Sequence, residues 1–444
     1  MRLAQLSDYL SPILVKELRQ GRRSRALIVL AALTITASAL ITLYAVGRDS
    51  HTDAFIALYS CLSVVGFLIV PLTAHRSLVR EQEDGSWQIL HLTGLGPRRI
   101  LAGKLAAALA QVGILSLAVS PFLILSHFLT EYGFESIALL CASGALMTGA
   151  LTVAALFTAT LPTTRAQRGV LQIVVLIGLI CGMSACVGLA MEVGRRGVEP
   201  FNLVASLWGV LSTSVVLFEA AAARMSLSTE SYAWRPRVAL IVQLVGVSAL
   251  GLWRQRQLCL ASTTEFFQVL SVVIVCAGAL VMATEADRAG PPGRRTWSLL
   301  APGALAGFRL SVLLLVLSTA LWSASACDDH PVKLMVVAAA YPLLYLCAVL
   351  GLCRGINPRL LGSPDATRCV LGGVALVGSF VPWLMARGFA RGAPEESLVA
   401  LLSPVGGYEV FTNPHSHGHW VLGGLALLAV VLTDRLLARR RATI

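Results

Sequence analysis

The sequence predicts an all-α polytopic membrane protein of about 12 transmembrane helices, with both termini cytoplasmic and an amphipathic interfacial helix at the N-terminus. Three observations carry that prediction. The 444 residues are 56% hydrophobic and only 13% charged, about half the roughly 25% of an ordinary soluble domain. Charge-free runs of membrane length recur along the whole chain. The basic residues alternate between rich and poor segments from one run to the next. A water-soluble globule of this size could not cover its surface with so few charges, and disorder or a small disulfide scaffold is excluded by composition and length.

The runs of at least 16 residues without Asp, Glu, Lys or Arg are 26–47, 54–75, 105–130, 136–164, 169–191, 200–218, 238–253, 266–284, 310–327, 334–353, 369–386 and 410–433. A helix crossing a hydrocarbon core of about 30 Å needs around 20 apolar residues at 1.5 Å each. Most runs reach that length, and their backbone groups can be paired in lipid only within helices. Val238–Trp253 is the shortest, a span that is tilted, re-entrant or lengthened by a snorkelling Arg254. Miscounting it or 369–386 would leave eleven or ten spans. In the last run, Asn413-Pro414-His415 is loop chemistry and moves the span to 420–437.

The net charge of +12 then finds its place. With the N-terminus inside, the inner segments hold 27 of the 35 Lys and Arg residues and the outer loops hold 8. That bias sets the orientation, and the location expected is the plasma (bacterial inner) membrane, as a multi-pass protein. Nucleic acid is not needed to explain it. The N-terminus does not read as a cleaved signal peptide, because Lys16-Glu17 and an arginine cluster precede a full-length span without a small-residue cleavage pattern. The organisation expected is a cytoplasmic segment 1–25, a six-span region 26–225 with a long inner loop at 75–104, and a second six-span region 226–444.

Motifs for chemistry are sparse. The ten cysteines form no CxxC pair, and those inside spans act as small apolar packing residues. Cys259 and Cys327 both map to outer loops, where free thiols are favoured over a disulfide. His415, His417 and His419 alternate, so in an extended chain three imidazoles share a face and form a weak candidate metal site. The bland reading, a polar outer loop before the last span, is preferred because no carboxylate lies within the cluster. Intramembrane ionisable residues, the usual mark of ion coupling, are nearly absent; Glu219 and Asp434 sit near span ends and read as snorkelled or capping groups. No HExxH, GxSxG or paired-carboxylate motif marks an enzyme. Gly103-Lys104 lacks the upstream Gly of a P-loop, so the chain binds no nucleotide that way, and any ATP-driven step needs another polypeptide.

Two inner segments are informative. In the first, Ser11 caps a helix and Pro12 opens it. Leu10, Leu14 and Leu18 then share one face, with Lys16, Glu17, Arg19, Gln20 and Arg23 on the others, so the helix lies along the inner leaflet and meets membrane lipid. The second is Arg76–Lys104, far longer than a connection between neighbouring helices requires. Its acidic run, with Glu81 and Glu83, extends the second span, and Gly85 breaks it. A short apolar helix follows over Trp87–Leu92, including Leu90; Thr93-Gly94 ends it. Pro97 opens the helix that carries Arg98, Arg99, Gly103 and Lys104 into the third span. A short amphipathic helix held at the membrane surface is a docking element for a cytoplasmic partner.

SPILVKELRQGRRSRAL before the first span and REQEDGSWQILHLTGLGPRRILAGKLAAAL leading into the third together resemble the membrane subunits of type 2 ATP-binding-cassette (ABC) transporters. The likeness covers about 1–225. Gly94 stands where many relatives have Pro, and 238–444 carries no second copy of either motif. The resemblance implies that 12–25 is a connecting helix and that 86–97 includes the coupling helix touching an ATPase subunit. It further implies a permease subunit, an exporter without enzymatic activity of its own, binding no cofactor, with ATP and Mg²⁺ on the partner subunit. A second permease copy or a paralogue would complete the pathway if one chain does not. The competing reading is a 12-span secondary transporter driven by an ion gradient, which predicts a short loop between spans two and three and buried charges.

Overall fold

The computed structural model describes residues 12–23, 25–46, 52–84, 96–129, 134–161, 165–196, 199–226, 233–258, 261–283, 285, 299–325, 329–356, 363, 366–375, 377–378 and 418–443. All the regular structure among them is helical, as internal pairing of backbone groups in lipid requires. The chain divides into two compact units, Met1–Tyr232 and Ala233–Ile444.

The first unit contains α1 (Pro12–Arg23), α2 (Arg25–Val46), α3 (Thr52–Ser63), a π-helical turn (Val64–Ile69), α4 (Val70–Glu83), α5 (Pro97–Leu129), α6 (Phe134–Ala159), α7 (Arg165–Arg196) and α8 (Pro200–Met225). α3, the π turn and α4 run on as one span, Phe55–Glu83, of 29 residues. That span continues past its charge-free stretch because the acidic residues after Ser77 keep good helix propensity, and it stops at Glu83. Pro97 opens α5, where its fixed φ suits a first helical position. α6 is the hub, packing against α4, α5, α7 and α8. It can approach closely because its facing residues are small. A Cβ on Gly66 of the π turn would lie 3.1 Å from Thr148 Oγ1 of α6. Phe55, Leu58, Tyr59 and Phe67 pack with Val119 and Leu123 of α5 and Ile137 and Leu140 of α6 to form the core.

α1 packs along α5 and touches α2. Ile13 is buried, Leu14 and Leu18 are half-buried, and Pro12 and Arg19 are exposed. The row turned toward the bundle is thus Ile13 and Glu17, one turn apart on one face, while the Leu14–Leu18 stripe lies beside it.

The second unit contains α9 (Trp234–Leu258), α10 (Ala261–Met282), α11 (Ala304–Ser325), α12 (Asp329–Leu350) with a π turn (Gly351–Ile356), α13 (Ala366–Ala375) and α14 (Gly418–Thr443). α10 packs on α9, α11 and α12, and α12 packs on α14. Two glycines make the crossings possible. A Cβ on Gly307 would lie 2.2 Å from the Met282 carbonyl oxygen, and one on Gly251 would lie 2.4 Å from the ring of Trp322. Such close approaches of helices in lipid depend on residues without a side chain.

Eleven helices among the described residues are long and apolar enough to span a membrane. The weak run 238–253 is one of them, within Trp234–Gln257. The run 369–386 is represented by the shorter α13, and most of its remainder lies outside the described residues. Large apolar side chains such as Leu43, Leu117 and Val421 stand outward, a surface that suits lipid and would be a liability in water. The protein is a multi-pass, all-α membrane protein.

Candidate functional site

At the inner end of the first unit the charged residues meet. Lys104, about two turns into α5, has a side chain only 2% exposed. Its ammonium donates to Glu17 Oε1 of α1 at 2.7 Å and to Ser77 Oγ of α4 at 2.9 Å, and pairs with Glu81 Oε2 of α4 at 3.0 Å. Glu81 Oε1 in turn accepts from Lys16 Nζ of α1 at 2.8 Å. Two lysines and two glutamates thus form a neutral quartet across α1, α4 and α5. Neutrality matters, since a buried charge persists only when paired and hydrogen-bonded. The sequence places it: Lys16-Glu17 are adjacent on α1, and Ser77 and Glu81 are one turn apart on α4.

Two further pairs flank the quartet. Arg168 Nη1 of α7 donates to Glu83 Oε1, the last residue of α4, at 2.6 Å. Arg98 Nη2, the second residue of α5, donates to Glu219 Oε1 of α8. Glu219 is buried, so this carboxylate near a span end is held by a cation from another helix and does not merely snorkel. Arg224 of α8 donates to the carbonyls of Thr160 and Leu161 at 3.2 and 3.4 Å, closing the end of α6. His75 Nδ1–H donates to the Ala155 carbonyl at 2.9 Å and joins α4 to α6.

The residues expected in the coupling segment divide accordingly. Glu81, Glu83, Arg98 and Lys104 come together in this network. Pro97 and Gly103 are buried beside it, and Arg99 is exposed. Gly85, Trp87, Leu90, Thr93 and Gly94 lie outside the described residues. Of the α1 residues, Lys16 and Glu17 join the network, while Pro12, Leu14, Leu18 and Arg19 do not enter it. Sequence reasoning missed Ser77, His75 and Arg168. A signal for Ser77 existed in its one-turn spacing from Glu81; nothing local marked Arg168, whose partner is 85 residues away.

His415 and His417 also lie outside the described residues, as do Cys259 and Cys327. His419 is buried and its ring lies 5.1 Å from that of Trp420. Among the described residues no group of three or more His, Cys, Asp or Glu is placed to hold a metal ion. Asp434, the other carboxylate near a span end, accepts from Arg309 Nε and Nη2 at 2.7 and 3.0 Å, a bidentate pair joining α14 to α11.

Residues 8–230 match the family described as CcmB protein. No curated protein and no solved structure matches the chain. The family corrects the expected type 2 membership, since it is a different ABC family. Both motifs behind that expectation lie within 8–230. An amphipathic helix before a first span, a glycine break and a basic opening to a later span are features that the membrane boundary itself selects, so they do not separate one permease family from another. The ion-driven alternative falls with the same finding, because the family is a transport permease component of an ABC system and not a secondary transporter. The match takes in half of the chain, all but the ends of the first unit, and the chain belongs to the CcmB family of ABC-type membrane permease components.

Proposed function

We propose that this chain lines the translocation pathway of an ABC exporter and is driven by a separate ATP-binding subunit that docks on the segment between α4 and α5. The observation that supports this reading is the anchoring of both ends of that segment. Glu83 before it is tied to α7, and Arg98 after it is tied to α8. Behind them the Lys104 quartet ties α4 and α5 to α1. A push on the segment is therefore shared among five helices and is not absorbed by a loose loop, which is what a two-state rearrangement of packed helices needs. ATP and Mg²⁺ would be held by the partner, as the chain carries no P-loop. The family is a component of an ABC-type haem exporter, so haem is the first cargo to test. A second permease copy or paralogue would be recovered in the same complex if one chain is not sufficient.

The test is co-expression of the full chain with a candidate ATP-binding subunit, followed by co-purification and ATPase measurement in lipid. Replacing 87–93 by a Gly/Ser segment should abolish co-purification. Lys104→Gln should leave ATP affinity unchanged and reduce chain-stimulated hydrolysis about tenfold, within the usual range of coupling energies. Transport that persists at full rate without any ATP-binding subunit would overturn the reading.

A further inference from the structure

A cavity of about 350 Å³ opens between α1, α4 and α5, and nothing in the permease reading uses it. On α4 it is lined by the row Val70, Thr73, Ser77 and Arg80, with Arg76 beside it; on α5 the facing row is Lys104, Ala107, Ala108 and Gln111. Both rows repeat at three and four residues, so each is one face of its helix. The charges in it are unequal in standing. Lys104 is neutralised by Glu17, also in the wall, and by Glu81. Arg76 is held by a neutral group: the Gln172 amide oxygen of α7 accepts from its Nη2 and Nε at 3.0 and 3.2 Å. Among the described residues, no carboxylate pairs with Arg76 or Arg80. The cavity therefore carries two uncompensated guanidinium groups one turn apart, with the Thr73 and Ser77 hydroxyls below them.

Its polarity changes with depth. The charge-free stretch of this span ends at His75, so Arg76 and Arg80 lie at the inner headgroup level. Val70, Ala107 and Ala108 lie deeper, toward the hydrocarbon, with the Gln111 amide one turn beyond them on α5. From residue 70 to residue 80 the helix rises about 15 Å, the depth from a headgroup phosphate through the glycerol esters to the first methylenes. A soluble phosphate would need only the charged end. A phospholipid would use both.

We propose that this cavity is a binding site for one anionic phospholipid of the inner leaflet, its phosphate held by Arg76 and Arg80 and its glycerol backbone lying over Thr73 and Ala108. Basic recesses between spans on the cytoplasmic side suit such headgroups, and each arginine at the surface contributes about 1 kcal/mol toward an anionic lipid. Two arginines then correspond to about 30-fold in affinity. The bound lipid would sit against Glu17 and Lys104 and so couple membrane composition to the docking of α1.

The experiment is native mass spectrometry of the full chain released from detergent, titrated with phosphatidylglycerol or phosphatidylcholine. The wild type should retain one phosphatidylglycerol about 30-fold more tightly than phosphatidylcholine. Arg76→Gln/Arg80→Gln should erase that preference, and Arg435→Gln, which removes an exposed inner arginine of the second unit, should keep it. Should the double variant fail to fold, Arg80→Gln alone, at an exposed position, should lose about fivefold. An added arm supplies inorganic phosphate at 10-fold excess over lipid. Lipid that stays bound supports the lipid site. Displacement of the lipid by phosphate, or an unchanged preference in the variants, overturns it.

Discussion

The two units place cations of the same type at the inner boundary and use them differently. In the first, Lys104, Arg98 and Arg168 each join separate helices through carboxylates around the ends of one inner segment. In the second, Arg237 of α9 is fully buried and serves mainly the backbone. It donates to the carbonyls of Leu299, Ala301 and Gly303 and to Glu285 Oε2, the last at 2.8 Å. Gly303 N–H donates to the same carboxylate oxygen at 3.3 Å, and Gly303 holds a φ of 116°, a conformation open to glycine and costly for other residues. The first arrangement distributes a displacement among helices. The second pins an irregular stretch of chain before α11. A cation at a span end thus reports orientation first, and its local function depends on whether its partners are side chains of other helices or carbonyls of a turn.

The comparison can be broken most directly at Arg237. Arg237→Met should cost about 3–5 kcal/mol, because it removes the buried ion pair with Glu285 and the hydrogen bonds to three carbonyls together. Thermal unfolding in detergent should show that loss, and limited proteolysis should show cleavage confined to the second unit. Spread of cleavage into the first unit would contradict two separately organised regions. Lys104→Met comes next. Glu81 keeps Lys16, while Glu17 loses its donor and the Ser77 hydroxyl loses one of its bonds, so a loss of about 2–3 kcal/mol is expected. The sharpening measurement is a double-mutant cycle with Glu17→Gln: the quartet predicts a coupling of about 1–3 kcal/mol, and additivity would mean that the residues do not act together. Arg168→Gln should be the mildest, about 0.2–1 kcal/mol, as its pair with Glu83 is half in solvent. Its effect belongs to coupling, and a fall in stimulated hydrolysis with unchanged thermal stability would separate it from Arg237→Met.

Much of the fold was legible in the residues. The charge-free runs mark the spans because lipid tolerates few charges, and the arginine bias marks their direction. Pro97 marks the start of α5, since only a first turn accepts proline without losing a hydrogen bond. The quartet was half visible: Lys16, Glu17, Glu81 and Lys104 all stood out as charged residues at span ends, but their joining was not. Arg98 and Glu219 are 121 residues apart, and no periodicity reaches that far. The family was misread for a related reason, since two boundary motifs carry less discriminating information than the pattern of 8–230 as a whole.

By itself the sequence determined that this is a polytopic helical membrane protein with its basic residues inside, because hydrocarbon imposes one rule on every span independently of its neighbours. Tertiary structure alone decided which charges neutralise one another, that α1 turns Ile13 and Glu17 toward α5, and that Arg76 and Arg80 share a cavity in which, among the described residues, no carboxylate pairs with either. Those outcomes depend on helix packing between residues far apart in the chain. A few ångströms of displacement there decides whether a buried lysine is satisfied or unsupportable.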